Sequence, residues 1–493
     1  MSGCRLAVDE ARGESHGTAP RAGGTLTMAV NIDADPAAAQ SQLTSSITWR
    51  RLVFETLTAY DENGIPQPQL ATGWEFSEGG RVLTLRLRPD VLLHSGRAVD
   101  ARDVIYSLGR TADPDARSQG RSIASVIADM TADDPHTVRI RLQRPASNLF
   151  DLFELASVID HESANDLARG TSVIGTGPFT WESWTPGDSL HLTRNPHYRV
   201  PGRPYLDRIE QSTIIDPTAL VTAIRGGRAH VGYGSAPLDA KGLSADGRFE
   251  IGLSAGAAYS LGLDVLAPPF TDIRVRQAIG YAIDRERIRT QVFAGYGEAS
   301  SLWWTRNEPG WDETQSTTYR YDPELARSMI AAAGATGKRI VMDVRGLVSV
   351  RSMAEIVRYD LEAVGLGVQI QILDSATFDQ RLATGKLNPL WATAFGIADL
   401  GAATLVSSIP PFLPSGNASH FRADAYQAIV HTALTAPPDK RKASVHALGA
   451  YLQEQAFDHS LVVAPLMTLR SRRVRDAAQT RLGALVLDNA YLV

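Results

Sequence analysis

Residues 339–373 read RIVMDVRGLVSVRSMAEIVRYDLEAVGLGVQIQIL, and their pattern of apolar side chains indicates the class of fold. Residues 339–344 and 368–373 are rich in β-branched and other apolar side chains, which predicts two strands. Residues 352–364 repeat apolar side chains at helical spacing, which predicts a helix between them. A strand, a helix and a strand in this order favour a parallel pair with a right-handed crossover. The stretch therefore predicts an α/β fold.

Outside this stretch, the first half of the chain is rich in predicted strands, and the second half alternates strands with helices. Helical spacing predicts helices at 48–57, 100–109, 219–225, 273–293, 322–333, 423–434 and 439–455. Alternating apolar residues predict a hairpin joining 74–76 to 82–87, and strands at 25–30, 138–142, 179–184, 189–193, 209–215, 259–264 and 391–395.

The composition excludes several classes of protein. The 493 residues are 44% hydrophobic and 21% charged, which is typical of a globular protein with a large core. The net charge is −5 and no run is rich in lysine and arginine, so we expect no nucleic-acid partner. No apolar run reaches the ~18 residues of a membrane-spanning helix. We therefore expect contact with a membrane only through a lipid anchor.

The single cysteine, Cys4, follows Ser2 and Gly3. These three residues resemble the end of a bacterial lipobox, which implies that Cys4 carries a lipid and that residues 1–23 form a polar tether. An accidental cysteine at a frayed terminus is the alternative. One cysteine excludes an internal disulfide and a cysteine zinc cluster, and the eleven histidines show no metal-ligand spacing. We therefore expect no bound metal and no cofactor.

Four blocks of sequence, in order, resemble the family-5 solute-binding proteins of bacterial ABC importers, which bind dipeptides, oligopeptides or nickel. Their order and spacing match the family from about residue 23 to residue 475. Each block also suits a turn or a helix start, so these residues identify the fold rather than the ligand. The blocks are LVFETL (52–57), YD (60–61) and PQLATGW (68–74); LRLR (85–88), HSG (94–96) and DARDV (100–104); GTGPF (175–179), WTPG (184–187) and RNPHY (194–198); and VRQAIGYAIDR (275–285) with Gly295.

The resemblance implies a two-lobed fold like that of the periplasmic binding proteins (cluster C), with an extra N-terminal subdomain. Domain Ia would consist of residues 24–44, 171–260 and 464–493, domain Ib of residues 45–170, and domain II of residues 261–463. The lobes would close on a small ligand or short peptide and deliver it unchanged to ABC permease subunits. The protein would be a monomer in the periplasm or on the outer face of the cytoplasmic membrane.

The resemblance also implies a set of ligand-binding residues. In peptide-binding members, an aspartate after alanine or glycine binds the peptide α-amine, and Ala398-Asp399 matches that pair. A turn-capping role for Asp399 is the alternative, and for each aromatic candidate the alternative is core packing. The sequence departs from relatives at 401–404, GAAT, which replaces a usual Asp-Pro, and at Thr393, where some oligopeptide binders carry arginine. The candidates are Asn31, Ile32, Asp33, Trp49, Phe378, Thr393, Phe395 and Asp399.

These departures leave other functions open. The ligand could be a non-peptide solute such as an oligosaccharide, an opine or a metal chelate. A nickel chelate is disfavoured because uncharged Ala156 and Ser157 stand near the position of the arginine that contacts metal in nickel binders. Residues 252–256, GLSAG, match a serine hydrolase motif at Ser254, but the helix that this motif needs is replaced by an alternating pattern. We therefore predict that the protein is not an enzyme, and a signalling receptor stays open as a third class.

Overall fold

A computed structural model of the chain describes residues 20–40, 47–116, 118–396 and 398–493. Cys4 and most of the predicted tether lie outside the described residues. The strands in the described part are β1 (Thr25–Val30), β2 (Thr58–Tyr60), β3 (Pro66–Pro68), β4 (Ala71–Ser77), β5 (Val82–Leu87), β6 (Ile127–Asp134), β7 (Thr137–Leu142), β8 (Phe179–Thr185), β9 (Ser189–Arg194), β10 (Arg208–Thr213), β11 (Val231–Tyr233), β12 (Phe249–Leu263), β13 (Glu298–Ala299), β14 (Arg339–Arg345), β15 (Gly367–Leu373), β16 (Leu390–Phe395), β17 (Asp458–Ser471), β18 (Val474–Arg475), β19 (Ala478–Gln479), β20 (Leu485–Val486) and β21 (Tyr491–Leu492).

Helices in the same described part vary from one turn to five turns. Among the described residues, no helix is both long enough and apolar enough to span a membrane. The helices are α1 (Arg50–Val53), α2 (Ala101–Ala112), α3 (Arg121–Ala124), α4 (Leu149–Leu155), α5 (Ala164–Leu167), α6 (Pro217–Arg225), α7 (Pro237–Ser244), α8 (Ile273–Ala282), α9 (Arg285–Gln291), α10 (Glu313–Ser316), α11 (Pro323–Ala332), α12 (Val348–Ala363), α13 (Ser375–Ala383), α14 (Ala402–Ser408), α15 (Asp424–Thr435) and α16 (Pro438–Gln455).

Contacts between Cα atoms divide the chain into two compact units. Unit 1 consists of Met1–Arg144, Leu149–Ser254 and Met467–Val493, and unit 2 consists of Pro145–Asn148 and Ala255–Leu466. The long strands β12 and β17 each supply residues to both units. The finer division into domains Ia, Ib and II stays a prediction.

The described residues of unit 1 contribute five complete strands to the large sheet of the chain and form a four-stranded sheet and three two-stranded sheets, β2-β3, β18-β21 and β19-β20. In the large sheet, β1 lies between β10 and β11 and runs parallel to both, while β9 and β8 continue the sheet antiparallel. The four-stranded sheet has the antiparallel order β4-β5-β7-β6. It contains the predicted hairpin, in which Ser77 pairs with Val82. The three parallel strands β1, β10 and β11 therefore end at one edge of the large sheet.

Unit 2 is built on a sheet in which β14 pairs in parallel with β15 and with β16. Helix α12 connects β14 to β15 and buries its apolar side against this sheet. Strand β12 pairs antiparallel with β16. The β-α-β unit and the α/β class predicted from residues 339–373 are confirmed. The core of the unit includes Leu261, Ile279, Met342, Val344, Met353, Val357, Leu361 and Leu390.

Two predicted helices are wrong in their extent. The helix predicted at 273–293 is broken between α8 and α9, because Asp284 caps α9 by accepting a 2.9 Å hydrogen bond from the backbone N–H of Arg287. The helix predicted at 48–57 ends at Val53, whose carbonyl accepts from the N–H of Gly177 at 2.9 Å instead of continuing a helix. In both cases a specific hydrogen bond ends the helix although the apolar spacing continues.

Candidate functional site

The predicted ligand residues of unit 2 come from β16 and the loop that follows it. All six residues of β16 are buried, and Leu390, Ala392 and Ala394 belong to the core of the unit. Side chains alternate along a strand, so Trp391, Thr393 and Phe395 lie on the opposite face. The structure therefore brings Thr393 and Phe395 to the strand end that leads into Asp399.

Asp399 is only 5% exposed, and its Oδ1 accepts a 2.8 Å hydrogen bond from the hydroxyl of Thr305. Three residues later, the backbone N–H of Ala402 donates to Glu308 Oε2 at 3.2 Å. The guanidinium of Arg441 also contacts Glu308, at 3.3 Å. The segment from Thr305 to Glu308 therefore binds the loop at two points, Asp399 and Ala402. A carboxylate fixed in this way is suited to pairing with an ammonium group.

Thr393 lies opposite Ser260 of β12 in the antiparallel ladder. It has no exposed surface, and its Oγ1 has no hydrogen-bond partner in the described part of the chain. Phe395 is 7% exposed, and its ring lies 6.2 Å from that of Phe412. This face of β16 thus combines an unsatisfied hydroxyl with an aromatic wall.

Trp391 lies across Gly262 of the neighbouring strand β12. A Cβ atom at Gly262 would come within 2.3 Å of the Trp391 ring, well inside van der Waals contact. The indole can approach β12 this closely only because residue 262 has no side chain. This close packing fixes the position of Trp391 on the strand face that also carries Thr393 and Phe395.

The sequence interpretation missed Asp458, the first residue of β17. Its side chain is 1% exposed and accepts hydrogen bonds from Trp303 Nε1 at 2.6 Å and from the Ser260 hydroxyl at 3.3 Å. Burial raises the pKa of the Asp458 carboxyl to about 8. An acidic residue three positions before the apolar stretch 461–465 is the one signal that could have indicated a buried carboxyl.

In unit 1, Asn31, Ile32 and Asp33 follow β1, at the edge where β1, β10 and β11 end. The Asn31 amide donates to the carbonyl of Gly234 at 3.3 Å, and its buried Oδ1 has no partner among the described residues. Ile32 is 37% exposed. Ligands of open α/β sheets bind at the carboxyl ends of parallel strands, so the position is suited to binding.

Asp33 is held by three neighbours within unit 1. Its Oδ1 accepts from Trp184 Nε1 at 3.1 Å and from the Thr213 hydroxyl at 3.3 Å. Its Oδ2 accepts from the N–H of Gly187 at 2.7 Å. These bonds join the loop after β1 to the ends of β8 and β10. A ligand contact by Asp33 stays a prediction.

The two aromatic candidates lie in apolar surroundings. Trp49 is fully buried, and its ring centre lies 5.1 Å from that of Trp181 and 6.0 Å from that of Phe54. Phe378, on α13, is also fully buried. Neither side chain exposes surface to solvent, and their role as pocket walls stays a prediction.

Two other constellations bear on chemistry. Ser254 lies inside the uninterrupted strand β12, whereas the hydrolase motif places its serine at a sharp turn before a helix. Among the described residues, Asp100, Asp103 and His161 bring together three atoms of the kinds that bind metal ions. The guanidinium of Arg97 contacts Asp103 at 2.5 Å and also pairs with Asp160. The negative charge of this cluster is therefore already paired with the positive charge of Arg97.

Comparisons with known proteins agree on one family. The family model described as bacterial extracellular solute-binding proteins, family 5 Middle, matches residues 66–404. A Brucella ovis relative, named as a peptide-binding protein of an ABC transporter, is 27% identical over 305 residues. That alignment covers 59% of this chain and 56% of the relative, so the chain spans little more than half of the relative's length.

Two solved structures share the fold. DppA of Helicobacter pylori, an ABC transporter-associated periplasmic binding protein in complex with peptide STSA, has a TM-score of 0.80 at 20% identity. AgaA of A. tumefaciens R10, in complex with agropinic acid, has a TM-score of 0.81 at 21% identity. Each alignment covers 95% of this chain and 99% of the other. The predicted periplasmic-binding-protein-like fold is confirmed.

Proposed function

The chain belongs to the bacterial extracellular solute-binding proteins of family 5, and from this premise we propose that it is the substrate-binding protein of an ABC importer. It captures a peptide or peptide-like small solute and delivers it to membrane permease subunits. It acts outside the cytoplasm, as a monomer anchored through a lipid on Cys4, and it has no catalytic activity.

A buried carboxylate at the end of β16 is the observation that carries the proposal. Asp399 is 95% buried, and its carboxylate accepts a hydrogen bond from Thr305. The aromatic residue Phe395 is the last residue of the strand that leads into this loop. A buried carboxylate can pair with an ammonium group of a ligand, and a peptide carries one at its amino terminus. The names of the Brucella ovis relative and of the Helicobacter pylori structure, which both refer to peptides, agree with this ligand class.

A non-peptide solute is the second candidate, and Thr393 favours it. An uncharged hydroxyl at this position has no fixed charge with which to bind a peptide carboxylate, yet its Oγ1 lacks a partner among the described residues. A polyhydroxylated ligand could satisfy such a hydroxyl. The structure of AgaA with agropinic acid shows that this fold also holds a solute of another kind.

Native mass spectrometry of the purified protein with a defined mixture of dipeptides to tetrapeptides tests the proposal. We expect the protein to retain one or a few of these peptides, and calorimetry then gives the affinity of the tightest one. Replacing Asp399 with Ala should weaken that affinity at least tenfold, or about 1.4 kcal/mol, because the peptide ammonium loses its counterion.

Thr305→Val is the matched control, since it removes the hydroxyl that holds Asp399 but keeps the carboxylate itself. Its effect should be smaller than that of Asp399→Ala. Unchanged affinity in Asp399→Ala would discard the amine assignment. Retention of a sugar or a sugar acid, with no peptide bound, would instead support the second candidate.

A further inference from the structure

A continuous set of contacts within unit 2 connects the buried carboxyl of Asp458 to the loop that carries Asp399. Asp458 accepts from Trp303 Nε1 at 2.6 Å. Trp303 is 2% exposed, and its ring lies 5.5 Å from that of Phe412, which in turn contacts Phe395. One end of the contacts is therefore a buried acid, and the other end is the aromatic residue before the Asp399 loop.

The segment that begins at Trp303 also reaches that loop directly. Two residues after Trp303, the hydroxyl of Thr305 donates to Asp399, and the carbonyl of Thr305 accepts from the N–H of Glu308 at 3.1 Å. Glu308 then binds the N–H of Ala402. Trp303 thus begins a short segment in which the side chains of Thr305 and Glu308 bind the Asp399 loop at two points.

We propose that Asp458 is a positioning residue for the ligand carboxylate of Asp399, acting through Trp303 and the segment from Thr305 to Glu308. Asp458 does not touch the ligand. It holds the indole of Trp303, and the indole fixes where Thr305 and Glu308 meet the loop. This inference rests on the proposed function, because it assigns a role to Asp399 in ligand binding.

The surroundings of Asp458 indicate the protonation state in which its side chain contacts Trp303. In the described chain no cation lies within ion-pair distance of Asp458, and its neighbours are Ser260 on β12, Trp303, and Tyr426 on α15. The adjacent His459 pairs through its Nε2 with the carbonyl of Arg276 instead. Because burial raises the pKa of Asp458 to about 8, the neutral acid predominates at pH 7. An asparagine, which is neutral and of the same shape, should therefore replace it.

Amide hydrogen exchange of the ligand-free protein tests the positioning without any ligand. Asp458→Ala and Trp303→Phe each remove the hydrogen bond, and Trp303→Phe keeps an aromatic ring against Phe412. We expect faster exchange in fragments covering 303–308 and 398–402 in both variants, and near wild-type exchange in Asp458→Asn. The control is Asp360→Asn, which alters another buried carboxylate of unit 2, bound to Arg287 and to the N–H of Asp284.

Affinity for the tightest member of the peptide mixture gives the second readout. Asp458→Ala should weaken binding by about 2- to 30-fold, the range expected for coupling through packed side chains, and Asp458→Asn should restore it. If Asp458 acts through Asp399, then Asp458→Ala has no further effect in protein that already carries Asp399→Ala.

The outcomes separate the inference from the function on which it rests. Unchanged exchange in fragment 398–402 of both Asp458→Ala and Trp303→Phe would overturn the positioning role, whatever the protein binds. Equal weakening by Asp458→Ala with and without Asp399 would also overturn it, because the effect would bypass Asp399. A protein that binds no peptide, yet shows the faster exchange, would refute the proposed function and leave the mechanical connection supported.

Discussion

Replacing Asp458 with Asn should remove a loss of stability that the wild-type protein shows as the pH rises. In the folded protein, burial raises the pKa of Asp458 from 3.8 to about 8. Between these two values the folded state holds a proton that the unfolded state releases. The stabilising effect of that proton is complete below pH 4 and is lost progressively as the pH rises to about 8.

The size of the effect follows from one proton. Where only the folded state is protonated, the free energy of unfolding falls by about 1.4 kcal/mol for each pH unit. Over the whole interval of about four units this amounts to about 6 kcal/mol, as an order of magnitude. Between pH 5.5 and pH 7.5 alone, the wild-type protein should lose about 3 kcal/mol relative to Asp458→Asn.

Urea unfolding at pH 5.5, 6.5 and 7.5, followed by tryptophan fluorescence, measures this difference. The free energy of wild type minus that of Asp458→Asn is the quantity to plot, because all other titrating groups cancel. Gly242→Ala serves as the control, since it removes no ionisable group and nothing lies within 4 Å of the added Cβ, so its difference from wild type should not change with pH. A difference between wild type and Asp458→Asn that does not change with pH would refute the reasoning.

Two further predictions concern unit 1. Gly234→Ala should destabilise the protein by about 1–3 kcal/mol, because residue 234 has a φ of +91° and a Cβ would lie 2.0 Å from Asn31 Oδ1. Gly242→Ala, in α7 with nothing within 4 Å of its Cβ, should be neutral or slightly stabilising. Thermal unfolding of both glycine variants and wild type measures this difference. Asp33→Ala should cost about 2 kcal/mol, since it leaves the donors of Trp184, Gly187 and Thr213 without their acceptor. A melting temperature within one degree of wild type would show that those three bonds contribute nothing.

Local patterns were sufficient to predict the β-α-β part of unit 2 because the relevant information is contiguous. The strands β14 and β15 and the helix α12 lie within residues 339–373, and each shows its own periodicity. Likewise, Thr393, Phe395 and Asp399 are neighbours in sequence, so the end of one strand brings them together. Predictions of this kind need no knowledge of distant contacts.

Other features depend on residues far apart in the chain. The break between α8 and α9 is stabilised by Asp360, which accepts from the N–H of Asp284, and by Arg285, which donates to the carbonyl of Ser460. Asp458 likewise meets Trp303 across 155 residues of sequence. Apolar spacing carries no information about such partners, and this explains both the helix predicted too long and the buried acid that was missed.

The packing of Trp391 on Gly262 has a consequence for how this chain can diverge from its relatives. Even the smallest side chain at residue 262 would collide with the indole, so selection acts on the two positions together. An alanine there becomes acceptable only after residue 391 has become smaller. In a deep collection of homologous sequences these two sites should therefore covary, and the pair would report strand register where overall identity is low.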